Sequence, residues 1–266
     1  LLIDGLNLLF RAFYSLPPNM QSPSGEPTNA LFGFIRTLDS LNKKYTPKTI
    51  IVALDSPIPT WRKEEYPEYK AGRPETPESL LKQIRFFKDF LRKLEIGYIE
   101  FPGYEADDIL ASASKRLLKE KMNPIIVSND KDLLQTLETG VSILKSGRSI
   151  SQIKLINKNT LFEEYGFNPS LIPDFKGLVG DSSDNLKGVR GIGEKTAKTL
   201  LEKYKNLDDI YENLENIPDS QRKKLESDKE SAYFCKKLAT LNFDLEIETK
   251  NLKPLNLGNE SAQKTL

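Results

Sequence analysis

Three short apolar runs, Leu1-Leu2-Ile3, Ile50-Ile51-Val52-Ala53-Leu54 and Ile125-Ile126-Val127, each stop at or shortly before an aspartate: Asp4, Asp55 and Asp130. Helical patterns separate the runs. Alternation of this kind predicts a mainly parallel sheet with helices on its faces. In such a sheet, ligands bind beyond the carboxyl ends of the strands, where the strand order switches. Acids at three strand ends can therefore meet on one edge. Read singly, each is also a good cap for the helix or turn that follows.

The pattern predicts strands at 1–4, 49–54, 96–101, 124–128 and 141–145, with a turn following Asp4. It predicts helices at 28–43, 77–94, 105–120 and 131–137. Gly147-Arg148 reads as a turn leading into 149–153. From about 156 the texture is helical, with candidates at 158–165, 170–179, 194–204, 207–214, 219–227 and 229–241. Pro169, Pro173 and Pro218 lie near helix starts, where proline is tolerated. A further strand is expected at 243–248. This gives an α/β unit over 1–155, a helical unit over 156–250, and a tail or truncated element at 251–266. The chain begins at Leu1 without Met and stops inside a segment that reads as continuing, so both ends are expected to be trimmed.

Composition narrows the chemistry. The 266 residues contain no histidine, which removes histidine triads, histidine general bases and the usual zinc sites. Cys235 is the single cysteine, so no internal disulfide forms and a reducing, cytoplasmic setting is expected. No apolar run approaches the roughly 20 residues of a membrane span, and no signal peptide is evident. Oxygen ligands remain, and they suit Mg²⁺, Mn²⁺ or Ca²⁺.

Further carboxylates cluster in Glu105-Ala106-Asp107-Asp108, Asp130-Lys131-Asp132 and Asp181-Ser182-Ser183-Asp184. Acids in a first helical turn complement the helix dipole, but three in four residues exceed that need. Two carboxylates about 4 Å apart repel by roughly 4 kcal/mol at an effective dielectric near 20. If all nine converge, either several pKa values rise or divalent cations neutralise them. Two bound cations can bridge a phosphate, activate water and stabilise a leaving oxygen. Phosphodiester hydrolysis is the natural reaction.

Two other features concern a substrate. Residues 61–73 interleave basic and aromatic side chains, a combination that grips phosphate and stacks on bases. Lys70 and Arg73 are the better candidates there, because interspersed glutamates mark the outer face as solvated. Gly188-Val189-Arg190-Gly191-Ile192-Gly193-Glu194-Lys195-Thr196 is a near miss for a phosphate-binding P-loop: Glu194 intervenes before Lys195, and helical sequence precedes. A glycine hairpin joining two helices fits better. Its amides and the next helix N-terminus would hold a backbone phosphate, with Lys187, Arg190, Lys195 and Lys198 nearby.

Taken together, these motifs closely resemble the 5′-nuclease domain of bacterial DNA polymerase I, within the wider flap-endonuclease family. The resemblance runs from Leu2 to about Leu245. It covers Asp4-Gly5 with Phe10-Arg11, Ser24-Gly25-Glu26-Pro27-Thr28-Asn29-Ala30, Tyr69-Lys70-Ala71-Gly72-Arg73, Gly103-Tyr104-Glu105-Ala106-Asp107-Asp108, Asp130-Lys131-Asp132, Gly180-Asp181-Ser182-Ser183-Asp184-Asn185 and the glycine hairpin. Departures are small: Trp61 stands where Phe is common, Lys63 replaces a frequent His, and Pro57-Ile58-Pro59 stiffens the segment after Asp55.

The resemblance implies a PIN-like nuclease core with a helical arch over about 57–90, and a helical subdomain with a helix-two-turn-helix at 186–204. It implies a first metal site from Asp4, Asp55, Glu105, Asp107 and Asp108, and a second from Asp130, Asp132, Asp181 and Asp184. Two Mg²⁺ ions are expected, with Mn²⁺ able to substitute. Lys70 and Arg73 would contact the scissile phosphate, with Asp107 central to catalysis and Phe10 and Arg11 beside the reacting nucleotide. Lys187, Gly188, Arg190, Gly191, Gly193, Lys195 and Thr196 would grip duplex DNA, with K⁺ held by hairpin carbonyls. The implied activity is 5′-3′ exonuclease and flap endonuclease, on DNA with a 5′ flap or 5′ end, RNA-primed ends included. A monomer fused to or working with a DNA polymerase is expected. A binding module with a relict acidic site, or a P-loop nucleotide enzyme, would be the alternatives.

Overall fold

The computed structural model describes residues 1–145 and 153–248. Its strands are β1 (Leu2–Asp4), β2 (Ile51–Leu54), β3 (Gly97–Glu100), β4 (Ile125–Val127), β5 (Ser142–Lys145), β6 (Lys154–Ile156), β7 (Gly180–Asp181) and β8 (Leu186–Lys187). Its helices are α1 (Gly5–Ser15), α2 (Asn29–Tyr45), α3 (Trp61–Glu65), α4 (Glu78–Lys93), α5 (Ala106–Lys119), α6 (Lys158–Tyr165), α7 (Ile172–Val179), α8 (Glu194–Lys203), α9 (Leu207–Glu212), α10 (Asp219–Ser227) and α11 (Lys229–Ala239).

Six strands form one sheet in the order β3-β2-β1-β4-β5-β6. The first five run parallel and β6 is antiparallel to β5. The expected mainly parallel sheet is therefore present, and its strand order reverses between β1 and β4. Alternate residues along each strand feed opposite layers. Leu2, Ile51, Ile126 and Ile143 pack with α5 and the C-terminal helices in one continuous core. Ile3, Val52, Val127 and Leu144 pack with residues of α1, α2 and α4 in the other.

Several elements differ from the sequence expectation. The turn expected after Asp4 is a helix, α1, capped by Asp4 itself, whose carboxylate accepts the Asn7 amide at 3.1 Å. Residues 132–139 form a 3₁₀ helix. No strand forms over 243–248, because its backbone bonds to α5 side chains instead of a neighbouring strand. Ser112 donates to the Asn242 carbonyl and accepts from the Leu245 amide, while Arg116 donates to the Ile247 carbonyl at 2.5 Å. The expected turn at Gly147-Arg148 and the tail at 251–266 lie outside the described residues. Among the described residues, no helix is long and apolar enough to cross a membrane.

Candidate metal centre and nucleic-acid interface

The reversal of strand order puts the carboxyl ends of β1 and β4 side by side, and the first acids follow from it. Asp4 ends β1 and is buried; Ser128, just past β4, donates to it at 2.7 Å. The same hydroxyl accepts the Asp130 amide at 3.0 Å, which fixes the loop carrying Asp130. Asp130 in turn accepts the Asp132 amide at 2.9 Å. One strand over, Asp55 follows β2 and accepts the first amide of α5, from Ala106, at 2.8 Å. That bond sets the start of α5, and with it Glu105, Asp107 and Asp108.

These acids press on one another. Desolvation pushes Asp4 up to about 7, with Asp55 and Asp130 adding to the rise and the Ser128 hydrogen bond opposing it. Asp107 is raised well above the carboxylate range, first by desolvation and then by Asp130, Asp4 and Asp132. Its carboxylate accepts no hydrogen bond from the described residues and keeps some solvent access. A group held close to other anions, undonated and open on one side, is well disposed to accept a cation. Asp130 bears on Asp4, Asp107 and Asp132 alike, so it stands between the two acidic groups implied by the sequence.

The second group converges tightly. Asp132, Asp181 and Asp184 bring carboxylate oxygens within 4.8 Å of one another. Asp181 and Asp184 reach this point because the two-residue ladder of β7 and β8 folds the chain after α7 back on itself. Lys176, on α7, pairs with Asp132 and with Asp181 at 2.6 Å. Burial pushes Asp132 up to about 7 against the pull of Lys176, whereas burial of Asp181 is outweighed by Lys176 and the Ser183 hydrogen bonds together, which hold it below its usual value.

Asp108 departs from the expected ligand set. It is fully buried, and Arg62 from α3 grips it at 2.6 and 2.9 Å. The Asn242 amide donates to it as well, at 2.9 Å. Glu105, Asp181 and Asp184 also accept from protein donors on both oxygens, but Asp108 alone is closed to solvent altogether, with a buried arginine as its partner, an arrangement that suits an anchor better than an open ligand.

Lys70 and Arg73 do reach the acids. Lys70 adopts the left-handed region, at φ 59°, an uncommon conformation for a residue with a side chain. Its amide bonds to the Asp184 carbonyl at 3.0 Å, and its ammonium meets Glu105 at 2.5 Å. Burial opposes that charge, but Glu105 and Asp184 outweigh it and hold the ammonium above its ordinary value. Arg73 pairs with Asp184 at 2.7 Å. Tyr69 donates to both Glu105 and Asp184, tying the groups together. Phe10 and Arg11 lie half-buried on α1, two turns from Asp4.

The glycine hairpin follows β8 directly, so a short strand, not the expected helix, precedes it. This strand belongs to the small ladder outside the parallel sheet, and the P-loop alternative loses its structural context. A Cβ on Gly188 would meet the Gly180 nitrogen at 2.3 Å and the Leu178 carbonyl at 2.6 Å, so only glycine fits. Gly191 takes φ 77°. Gly193 caps α8 without a side-chain bond, leaving first-turn amides open for an anion. Lys187 and Lys195 are exposed, Thr196 is half-buried, and Arg190 pairs with Asp228.

Residues 1–166 match the 5′-3′ exonuclease N-terminal resolvase-like domain, and residues 167–262 match the 5′-3′ exonuclease C-terminal SAM fold. The chain belongs to the 5′-3′ exonuclease family. Among similar proteins, a 5′-3′ exonuclease of Aquifex aeolicus is 36% identical over 95% of this chain and 85% of its own length. A DNA polymerase I of Caldicellulosiruptor bescii is 38% identical over 94% of this chain but only 29% of its own length. The chain thus spans under a third of the polymerase relatives it matches. The 5′-exonuclease of bacteriophage T5, solved with zinc bound, is 26% identical with a TM-score of 0.71, covering 91% of this chain and 89% of that one. A T5 flap endonuclease complex with DNA and metal ions gives 26% and 0.72, covering 91% and 88%. As a member of the 5′-3′ exonuclease family, the chain has the expected fold. Arg62, Tyr69, Ser128 and Lys176 are additions to the site residues expected from sequence. Tyr69 opens the Tyr69-Lys70-Ala71-Gly72-Arg73 motif, and Arg62 lies within the basic stretch. Only the fold brings Lys176 to the acids.

Proposed function

We propose that this 5′-3′ exonuclease-family domain hydrolyses DNA phosphodiesters next to a junction between single and double strands, using two Mg²⁺ ions. The observation that carries this reading is the meeting of two acidic groups at the β1/β4 switch, bridged by Tyr69 and edged by Lys70 and Arg73. The donor set suits hard cations: carboxylate oxygens converge, the chain has no histidine, and the single cysteine, Cys235, is buried with its thiol on the Lys176 carbonyl. Asp4, Asp55, Glu105, Asp107 and Asp130 would hold one ion, and Asp132, Asp181 and Asp184 the other. Bound there, the ions would activate water and stabilise the leaving oxygen.

The protein's own groups do the rest. Lys70 and Arg73 stand at the rim on short ion pairs, ready to exchange a carboxylate for a phosphate oxygen. Phe10 and Arg11 flank the reacting nucleotide from α1. The open amides of α8, with Lys187 and Lys195, take a phosphate of the duplex, and the hairpin carbonyls would hold a K⁺ ion. A single-stranded 5′ end passes the arch region at about 57–90, RNA-primed ends included. Mn²⁺ substitutes for Mg²⁺. The domain acts as a monomer in the cytoplasm, fused to or beside a DNA polymerase.

A labelled 5′-flap duplex incubated with Mg²⁺ or with EDTA tests the reading. Short 5′ products only with Mg²⁺ are expected. Binding without metal-dependent cleavage would instead identify a DNA-binding module.

A further inference from the structure

The two acidic groups differ in their fixed counter-charge. In the first group Glu105 pairs with Lys70 and Arg62, while Asp4, Asp55, Asp107 and Asp130 form no ion pair with a Lys or Arg among the described residues. In the other group every carboxylate is paired, Asp132 and Asp181 with Lys176 and Asp184 with Arg73. The side chain of Arg73 is 49% exposed and that of Lys176 only 9%. Arg73 can swing into solvent, whereas Lys176 is sealed in.

Its backbone is also anchored. The Lys176 carbonyl accepts the Gly180 amide and the Cys235 thiol, the latter at 3.1 Å from the packed face of α11. The ammonium therefore lies against two of the three carboxylates that come within 4.8 Å of one another. A magnesium ion takes oxygens at about 2.0–2.1 Å and demands near-octahedral order. It must share Asp132 and Asp181 with a resident cation or displace it.

We propose that Lys176 is a positioning residue that governs how tightly the second acidic site takes its divalent ion. It holds Asp132 and Asp181 together when no metal is bound and competes for their oxygens when one arrives. This rests on the two-ion reading above. Neutralising Lys176 leaves three convergent carboxylates without their buried partner, so metal affinity at this site rises. Lys176 pairs with no carboxylate of the Asp4 and Asp107 group among the described residues, so that group is left unchanged.

Mn²⁺ titration of the full chain without DNA, followed by electron paramagnetic resonance and by thermal melting, tests this. In Lys176→Met and Lys176→Gln, the dissociation constant of the weaker Mn²⁺ is expected to fall at least tenfold. Mn²⁺ should also raise the melting temperature more than in wild type. Adding Asp184→Asn should remove the gain. Unchanged or weaker binding of that ion in a folded variant overturns the proposal. So does failure of both variants to fold at saturating Mn²⁺, which assigns Lys176 to folding alone. If instead Asp184→Asn leaves every Mn²⁺ site of the wild type intact, the two-ion reading itself fails.

Discussion

At the scale of single residues, the candidate site is a balance between carboxylates with and without protein partners. Asp107 accepts no hydrogen bond from the described residues, and burial, with its acidic neighbours adding to it, raises its pKa. Asp107→Ala is expected to lower Mg²⁺-dependent cleavage by roughly a hundredfold or more, the scale set by loss of one preorganised electrostatic group. DNA binding should survive, and gel-shift and cleavage assays on one flap substrate separate the two effects. Lys70→Ala should lower cleavage without unfolding the chain; unaffected cleavage would mean that Lys70 touches no phosphate. The raised carboxylates also set a pH dependence. Asp4 and Asp132, each pushed up to about 7, keep protons in the folded chain that unfolded carboxylates release near 3.8. The folded state therefore binds more protons between those values, and metal-free stability falls as pH rises through that window. Asp181, held low, works in the opposite sense at lower pH. Melting temperatures in EDTA should decline from about pH 5 to 8, a trend that Mn²⁺ flattens by neutralising the same carboxylates. A rise with pH in EDTA would contradict the coupling.

At the scale of elements, the parallel strands and the long helices were legible because apolar period and length distinguish them. The first helix was not. Gly5 and Asn7 after Asp4 suit a turn equally well, and α1 is decided by packing: Leu8, Leu9 and Ala12 are buried, with Ala12 against Gly33 of α2. The segment 243–248 alternates like a strand but lacks a partner strand, and α5 side chains satisfy its backbone. The glycine hairpin leads into α8 as expected but is entered from β8 instead of a helix. Its close approach to α7 predicts that Gly188→Ala forces backbone apart, costing about 1–3 kcal/mol as overpacking does. Thermal melting should show that loss, and duplex affinity should drop with it. Lys195→Ala, on the exposed first turn of α8, should leave stability alone. It should weaken duplex binding and shrink its salt dependence by about one phosphate contact.

At the scale of the whole molecule, Arg62 joins the parts. Fully buried, it donates to Asp108 of α5 and to the carbonyls of Leu238 and Thr240 at the end of α11. It thereby locks the base of the 57–90 region, the helix that bears Asp107, and the C-terminal helical layer into one unit. Arg62→Gln is expected to destabilise the chain by about 3–5 kcal/mol, because it leaves Asp108 buried without its partner. Denaturant unfolding measures this, and a loss below about 1 kcal/mol would put Arg62 among the surface pairs. The sequence by itself determined which side chains are available: no histidine, acids at strand ends, a glycine hairpin, and the motifs of a nuclease family. Those are local properties, written in residue type and spacing. Tertiary structure alone decided how the acids are used. Asp108 is an anchor because Arg62 reaches it from 46 residues away, and Lys176 faces Asp132 because α7 packs beside the 3₁₀ segment. Long-range pairing depends on where chain segments cross, and that follows from burying two apolar layers against one sheet.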